Sequence, residues 1–266
     1  GLIRLGKVSP KNPFIRLWKN LHRKALIGSH RVIAIGRDMA NWVRDEAPNL
    51  PNERLKVIPL WQDERLISPV DFLNNPFVLK HNLSDYFVVQ FSGNMGLWND
   101  LDTVGRAVAK GVDGVKFVFI GDGIRKKELV NAMGEKVNEC LFLPFLENDD
   151  YAYSVTACHC GLVTLRSEAV GMGVPSKIFG IMAAGMPVLA VAPMSSELAL
   201  IVKESDCGLV VEPGDHLGLL QSILFLKENE EIRVKMGLNA RLAFEKKYTI
   251  SKGVENYINL FNELLS

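Results

Sequence analysis

From about residue 86 onward, short apolar runs alternate with amphipathic stretches. Phe87–Phe91, Lys116–Ile120, Cys140–Leu143, His159–Val163, Pro187–Val191 and Leu209–Val211 are near-continuous apolar runs, the pattern of strands buried on both faces of a parallel sheet. Between them the spacing predicts helices near 100–110, 124–135, 149–157, 175–184, 196–204, 215–227 and 229–246. Strands separated by helices form βαβ units, so the expected fold is an α/β, Rossmann-like, doubly wound parallel sheet. Ahead of it, His30–Gly36 and Leu55–Leu60 read as two further strands, with a short helix at Asn41–Glu46 and a polar connection at about 62–85. Two strands and a helix cannot enclose a core. Residues 1–75 are therefore expected to be the end of an N-terminal domain and its linker, and 76–248 the principal domain. Residues 249–266 are expected to form a terminal helix. Its apolar positions Val254, Tyr257, Ile258, Leu260, Phe261 and Leu264 share one face, which packs on its own domain or crosses back to the first. Because the chain begins with Gly1 and not Met, residues upstream are expected to have been removed or left out.

Composition adds one asymmetry. Net charge over the 266 residues is +1, which points to no nucleic-acid partner. Yet Arg4, Lys7, Lys11, Arg16, Lys19, Arg23, Lys24, Arg31 and Arg37 all precede the first acid, Asp38. Interleaved with Leu2, Ile3, Phe14, Ile15, Leu17, Trp18 and Leu21, they suit either a basic amphipathic surface on anionic lipid or a helix packed on protein. Cys140, Cys158, Cys160 and Cys207 form no disulfide framework in a chain of this length, and a reducing compartment is the simpler reading. The triplet Cys158-His159-Cys160 raises a metal site, but alternate residues of a strand face opposite sides. Burial as ordinary strand residues is the expectation. No run approaches the roughly 20 apolar residues that span a bilayer.

In a doubly wound sheet, ligands sit beyond the carboxyl ends of the strands. The loops there include Ser92-Gly93-Asn94-Met95-Gly96, Gly121-Asp122-Gly123, Pro144-Phe145-Leu146 and Arg166-Ser167-Glu168. The stretch GMGVPSKIFGIMAAGMPV, residues 171–188, adds a lone cation, Lys177, at the mouth of a small-residue helix. A lysine at a helix N-terminus is unfavourable unless an anion shares the place, though it can also point into solvent. If the SGNMG turn and the Ser176-Lys177 turn face one crevice, a diphosphate can bridge them, held by backbone N–H groups and by the ammonium. The helix after SGNMG, starting near Asn99-Asp100, would add its N-terminus. SGNMGLW matches neither G-x-G-x-x-G nor a P-loop.

In order, the chain reads FSGNMG, FIGDG, LPF, GVPSKIFGIMAAGMPVLAV, SELALIV, CGLVVEPGD and MGLNARLAFEKKY. Over roughly residues 30 to 266 this resembles the C-terminal part of a family 4 glycosyltransferase of the GT-B fold, and among these the bacterial enzymes of surface polysaccharide and O-antigen. VPSK followed by AAGxPV is the most specific part. The resemblance implies a retaining, metal-free sugar transferase, cytoplasmic or peripheral at the inner membrane face. Its donor would be a nucleotide sugar, a UDP-sugar, bound by this domain, and its acceptor a glycan or polyprenyl-diphosphate-linked glycan bound by the other. Carried onto matching positions, Gly93, Asn94 and Gly96 offer the phosphate loop, Lys177 with Ser176 meets the departing diphosphate, Phe145 edges the base, and Glu197 lies near the sugar or phosphate. Two departures stand out. Met172 and Gly180 occupy the places of the family's paired glutamates, with Glu168 a candidate substitute. Leu97-Trp98-Asn99 stands where basic residues follow the phosphate loop, leaving Lys177, with Arg166, to carry the charge. A non-catalytic nucleotide-sugar-binding module is the alternative reading.

Overall fold

The computed structural model describes residues 3, 6, 8, 9 and 11–265. Leu2, Arg4 and Lys7 of the basic N-terminal segment lie outside the described residues. The front unit comprises α1 (Pro13–Gly28), β1 (Val32–Ala34), α2 (Arg37–Glu46) and β2 (Leu55–Val57), with β1 and β2 paired in parallel. Asn12 caps α1 by accepting from the Phe14 N–H at 2.9 Å, with Pro13 in the first turn. The helix rests on α2 through His22, whose ring centroid lies 5.6 Å from that of Trp42, and through Leu26 and Ile27. Phe14, Leu17, Trp18 and Leu21, at i, i+3, i+4, i+7 spacing, are exposed on its other side.

The principal domain follows as α3 (Pro76–Lys80), β3 (Phe87–Ser92), α4 (Leu101–Lys110), β4 (Val115–Ile120), α5 (Lys126–Met133), β5 (Leu141–Leu143), α6 (Asn148–Thr156), β6 (Cys160–Thr164), α7 (Lys177–Ala183), β7 (Val188–Val191), α8 (Glu197–Glu204), β8 (Gly208–Val211), α9 (His216–Glu228), α10 (Glu230–Lys247) and α11 (Ile250–Leu265). Its six strands are all parallel, in the order β5-β4-β3-β6-β7-β8. Each expected strand and helix is present within a few residues. The order reverses between β3 and β6, so the loops after these two strands flank the topological switch point. One face of the sheet packs on α7, α8 and α10 through Phe179, Met182, Ile201 and Phe244, and the other on α4, α5 and α9 through Leu101, Val104, Leu129 and Ile223. Cys158 and Cys160 are core residues, and His159 is stacked 4.9 Å from Phe87 while its Nδ1 accepts from the Val88 N–H at 3.0 Å. Among the described residues no group of three or more His, Cys, Asp or Glu is arranged to hold a metal.

Two corrections to the expected front unit share one cause. The first strand stops at Ala34, and α2 starts at Arg37, four residues before the expected start at Asn41. The start is set from 160 positions away: the Glu197 carboxylate accepts the Arg37 N–H at 2.7 Å. In return the Asp38 carboxylate accepts the Glu197 N–H at 3.0 Å and the Gly171 N–H at 3.2 Å. The N-termini of α2 and α8 thus point at each other, and each is capped by the other's carboxylate. The Arg37 guanidinium also donates to Glu197, at 3.0 Å from Nε, and pairs with Glu204. A β-carbon on Gly36 would lie 2.9 Å from Asp38 Oδ1 and from Glu197 Cγ, so the crossing tolerates only glycine there.

The chain's far end returns to the same unit. Gln62 donates its N–H to Tyr248 O and accepts from the Ile250 N–H, and the Glu64 carboxylate caps Ile250 at 2.9 Å. Trp61 packs against Gly253 and edge-on to Tyr257, and Lys56 on β2 pairs with Glu263 on α11 at 2.8 Å.

Asp38→Ala strands the Glu197 and Gly171 amides and is expected to lower unfolding free energy by about 1–3 kcal/mol, the cost of unpaired buried donors. Asp38→Asn, which keeps one acceptor oxygen, is expected to lose less. Urea unfolding of the three proteins measures this, and equal midpoints would show that the reciprocal cap holds nothing together.

Candidate functional site

β3 delivers its carboxyl end straight into Ser92-Gly93-Asn94-Met95-Gly96. The turn is pinned by its neighbours: the Gly93 N–H donates to Ile120 O at 2.9 Å, and the Met95 N–H to Asp122 O at 2.8 Å. Glycines make this packing possible. Gly121, at φ +112°, would place a β-carbon 2.4 Å from Gly93 O, so only a residue without one can lie here. The expectation that this turn offers a row of free amides is therefore corrected. Among the described residues, only Asn94 and Gly96 of the three residues after Gly93 keep an N–H that no backbone carbonyl takes. The start of α4 does not offer itself either, because Asp100 already caps it, accepting from the Thr103 N–H at 3.3 Å and from Thr103 Oγ1 at 2.6 Å.

α7 places Lys177 across the crevice from this turn. The amine is directed at Gly93: a β-carbon on residue 93 would lie 3.4 Å from Lys177 Cε and 3.5 Å from its Nζ. Nζ rests 3.5 Å from the centroid of the Phe91 ring, buried, with no hydrogen-bond partner among the described residues. Burial penalises the charged form and pulls the Lys177 pKa down to about 7. The aromatic face beneath it recovers part of that cost through its quadrupole. The amine is thus buried with one soft contact and no hydrogen-bond partner among the described residues.

Around these two elements lies a cavity of about 540 Å³. Gly93, Asn94, Gly96, Phe145, Ser176 and Lys177, expected as site residues, all line it. Three others do not. Arg166 and Glu168 pair with each other, Nη2 to Oε1 at 3.0 Å, and that hydrogen bond holds the Glu168 carboxyl below its usual range. Neither is among the lining residues. Glu197, expected near sugar or phosphate, is turned onto Arg37 instead and serves the joint between the units. The lining also includes Gln62 from the linker, Tyr151 on α6 and Thr164, which the sequence did not mark, and Trp98, Asn99 and Met172, which it marked without expecting them to contact a ligand. Trp98 and Asn99 adjoin the glycine turn and were within reach of a closer reading; Tyr151 was not, since only the packing of α6 on α7 brings it there. Its hydroxyl also explains Gly180, where a β-carbon would meet Tyr151 Oη at 3.0 Å.

A family model describing glycosyl transferases of group 1 matches residues 74–243, more than half the chain. The chain belongs to this family. The probable glycosyltransferase WbjE of Pseudomonas aeruginosa is 30% identical over 228 residues, 84% of this chain and 56% of that protein. The O-antigen chain mannosyltransferase C of Escherichia coli is 26% identical over 152 residues, 56% of this chain and 39% of that protein. This group 1 chain thus spans about half the length of the curated relatives it matches. Among solved structures, a sucrose-phosphate synthase from Thermosynechococcus elongatus superposes with a TM-score of 0.79 at 16% identity, covering 99% of this chain and 65% of that one. HepE of Anabaena, in complex with UDP-glucose, gives 0.77 at 19% identity over 93% of this chain and 67% of that one. The architecture is that of GT-B glycosyltransferases, with the six-stranded sheet as its Rossmann-like half.

Lys177→Met keeps the shape of the side chain and removes the stranded amine, so the variant is expected to melt higher than the parent at neutral pH. The sign follows from linkage. The amine titrates near 7 in the folded chain and near 10 when unfolded, so between these values the unfolded state holds more protons and the parent gains stability as pH rises. The advantage of the methionine variant should therefore be full at pH 6 and shrink towards pH 10. Thermal melts across that range check it, and a constant or growing gap would mean that the amine is not buried in a charged form.

Proposed function

We propose that the cavity receives the diphosphate of a nucleotide sugar, and that this chain forms the donor-binding part of a retaining glycosyltransferase. The observation that supports this is the convergence of Lys177 on Gly93 across a cavity of about 540 Å³, at the switch point of a parallel sheet. A diphosphate laid along the turn would meet the Asn94 and Gly96 amides on one side and the Lys177 amine on the other. With α4 capped by Asp100 and Arg166 held by Glu168, Lys177 is the cation that remains to neutralise the charge gathering on the leaving diphosphate as the glycosidic bond breaks. No metal is called for where an ammonium and fixed amides take that charge. Phe145, exposed at one end of the cavity, offers an edge for the base.

The donor is read as a UDP-sugar. The UDP and UDP-glucose found with HepE agree with that reading but belong to HepE. The acceptor is read as a glycan or polyprenyl-diphosphate-linked glycan of surface polysaccharide, met at the inner face of the cytoplasmic membrane. The relative named as an O-antigen chain mannosyltransferase supports it, as does the exposed apolar face of α1 with Lys24 at its edge.

Calorimetry with UDP is the direct test. Lys177→Ala is expected to weaken UDP by about 1.5–3 kcal/mol, the range of a charge-assisted contact. Because the bound anion restores the proton that burial removed, the parent's affinity should fall as pH rises from 7 to 9, approaching tenfold per unit, and the alanine variant's should not. Equal affinity in the two proteins would remove Lys177 from the site.

A further inference from the structure

Gln90 is the one polar residue in the run Phe87–Phe91, on a strand paired on both sides within the sheet. Its side chain is 4% exposed, and its Nε2 has no hydrogen-bond partner among the described residues. Buried donors are ordinarily paired. Gln90 Nε2 and Lys177 Nζ are two that are not, and their side chains border one small space.

Alternate positions on a strand and four-residue spacing on two helices put six side chains around a chamber of about 20 Å³. Gln90 and Ser92 come from β3, Tyr151 and Val155 from α6, and Lys177 and Ile181 from α7. Ser92, Tyr151 and Lys177 also line the crevice, so the chamber adjoins it. Its volume suits a single small species, since roughly 10–15 Å³ is enough for a water.

The polar groups around the chamber bring protons. The amide Nε2 and the ammonium are donors only, and the two hydroxyls can turn to donate as well. Tyr151 Oη stands beside α7, 3.0 Å from where a β-carbon on Gly180 would lie, and burial raises its pKa, so the hydroxyl keeps its proton. Among the described residues no Asp or Glu lines the chamber or the crevice. A water there would have to place two protons of its own and would leave the ammonium without a counter-charge. A monatomic anion takes every donor and supplies that charge.

We propose that the chamber is a halide site, which binds chloride between Gln90 Nε2 and the Lys177 amine, with the Ser92 and Tyr151 hydroxyls completing the set of donors. Bound there, chloride holds Lys177 charged beside Gly93 while no diphosphate occupies the crevice. The site needs only the buried donors, and it stands whether or not the crevice takes a nucleotide.

Thermal melts at pH 6 and constant ionic strength, with sodium gluconate exchanged stepwise for sodium chloride, test this. The parent is expected to melt about 2–4 °C higher in chloride, with a saturating dependence on its concentration. Gln90→Leu and Lys177→Met each remove one donor and are expected to lose that increment. Crystals of the parent soaked in sodium bromide provide a readout that needs no variant, since a bound halide gives an anomalous peak between Gln90 and Lys177. Equal melting in the two salts, an increment that both variants keep, or bromide peaks only outside the chamber would each overturn the halide site and leave an internal water in its place.

Discussion

An amine lies 3.5 Å above the Phe91 ring, turned towards the glycine turn at the end of β3, with no hydrogen bond to repay its burial. Side chains of this kind are ordinarily paired or moved into water, because an ammonium in a low-dielectric interior is costly. Here the surroundings hold it in place: Gly93 leaves room for it, Phe91 gives it a soft contact, and α7 fixes its stem. The molecule carries this strain in the free state, and an anion entering the crevice would relieve it. The cavity, the depressed pKa and the close approach of two loops follow from that one placement.

The second constraint is the joint between the front unit and the sheet. Two helix N-termini face each other, and each would carry unsatisfied amides if the other's carboxylate were absent. Asp38 and Glu197 exchange caps, and Asp38 also takes the Gly171 amide. Gly171 leads directly into Met172 and Gly173, which line the cavity. The loop that carries Ser176 and Lys177 is thus tied at its base to a residue of the front unit, so the shape of the cavity depends on how that unit sits. Glu197 serves this joint, its carboxylate held by the Arg37 amide and guanidinium.

Much of the fold was legible from the chain. Apolar runs such as Phe87–Phe91 and Pro187–Val191 could only be strands buried on both sides, and Gly185 with Pro187 marked the end of α7. The glycine turn and Lys177 were legible too, because a lone cation at a helix N-terminus is unfavourable without an anion to share the place. Less legible were the roles of charged residues near one another in sequence or near a motif. Arg166 and Glu168 stood beside the crevice and proved to satisfy each other, and Glu197 matched a family position yet faces Arg37. A carboxylate's role depends on which cation or amide lies within 3 Å, and spacing along the chain does not report that.

By itself the sequence determined the alternation of strands and helices, the positions of the turns that only glycine can make, and the family to which the chain belongs, because periodicity, backbone freedom and motif order are local properties. Tertiary structure decided where α2 begins, since its cap comes from Glu197, 160 residues away. It decided that Tyr151 and Met172 line the crevice, that the amides of Gly93 and Met95 are taken by the end of β4 and the loop after it, and that the Lys177 amine is buried. Each of these depends on partners distant in sequence, and desolvation and hydrogen bonding act only between groups that folding has brought together.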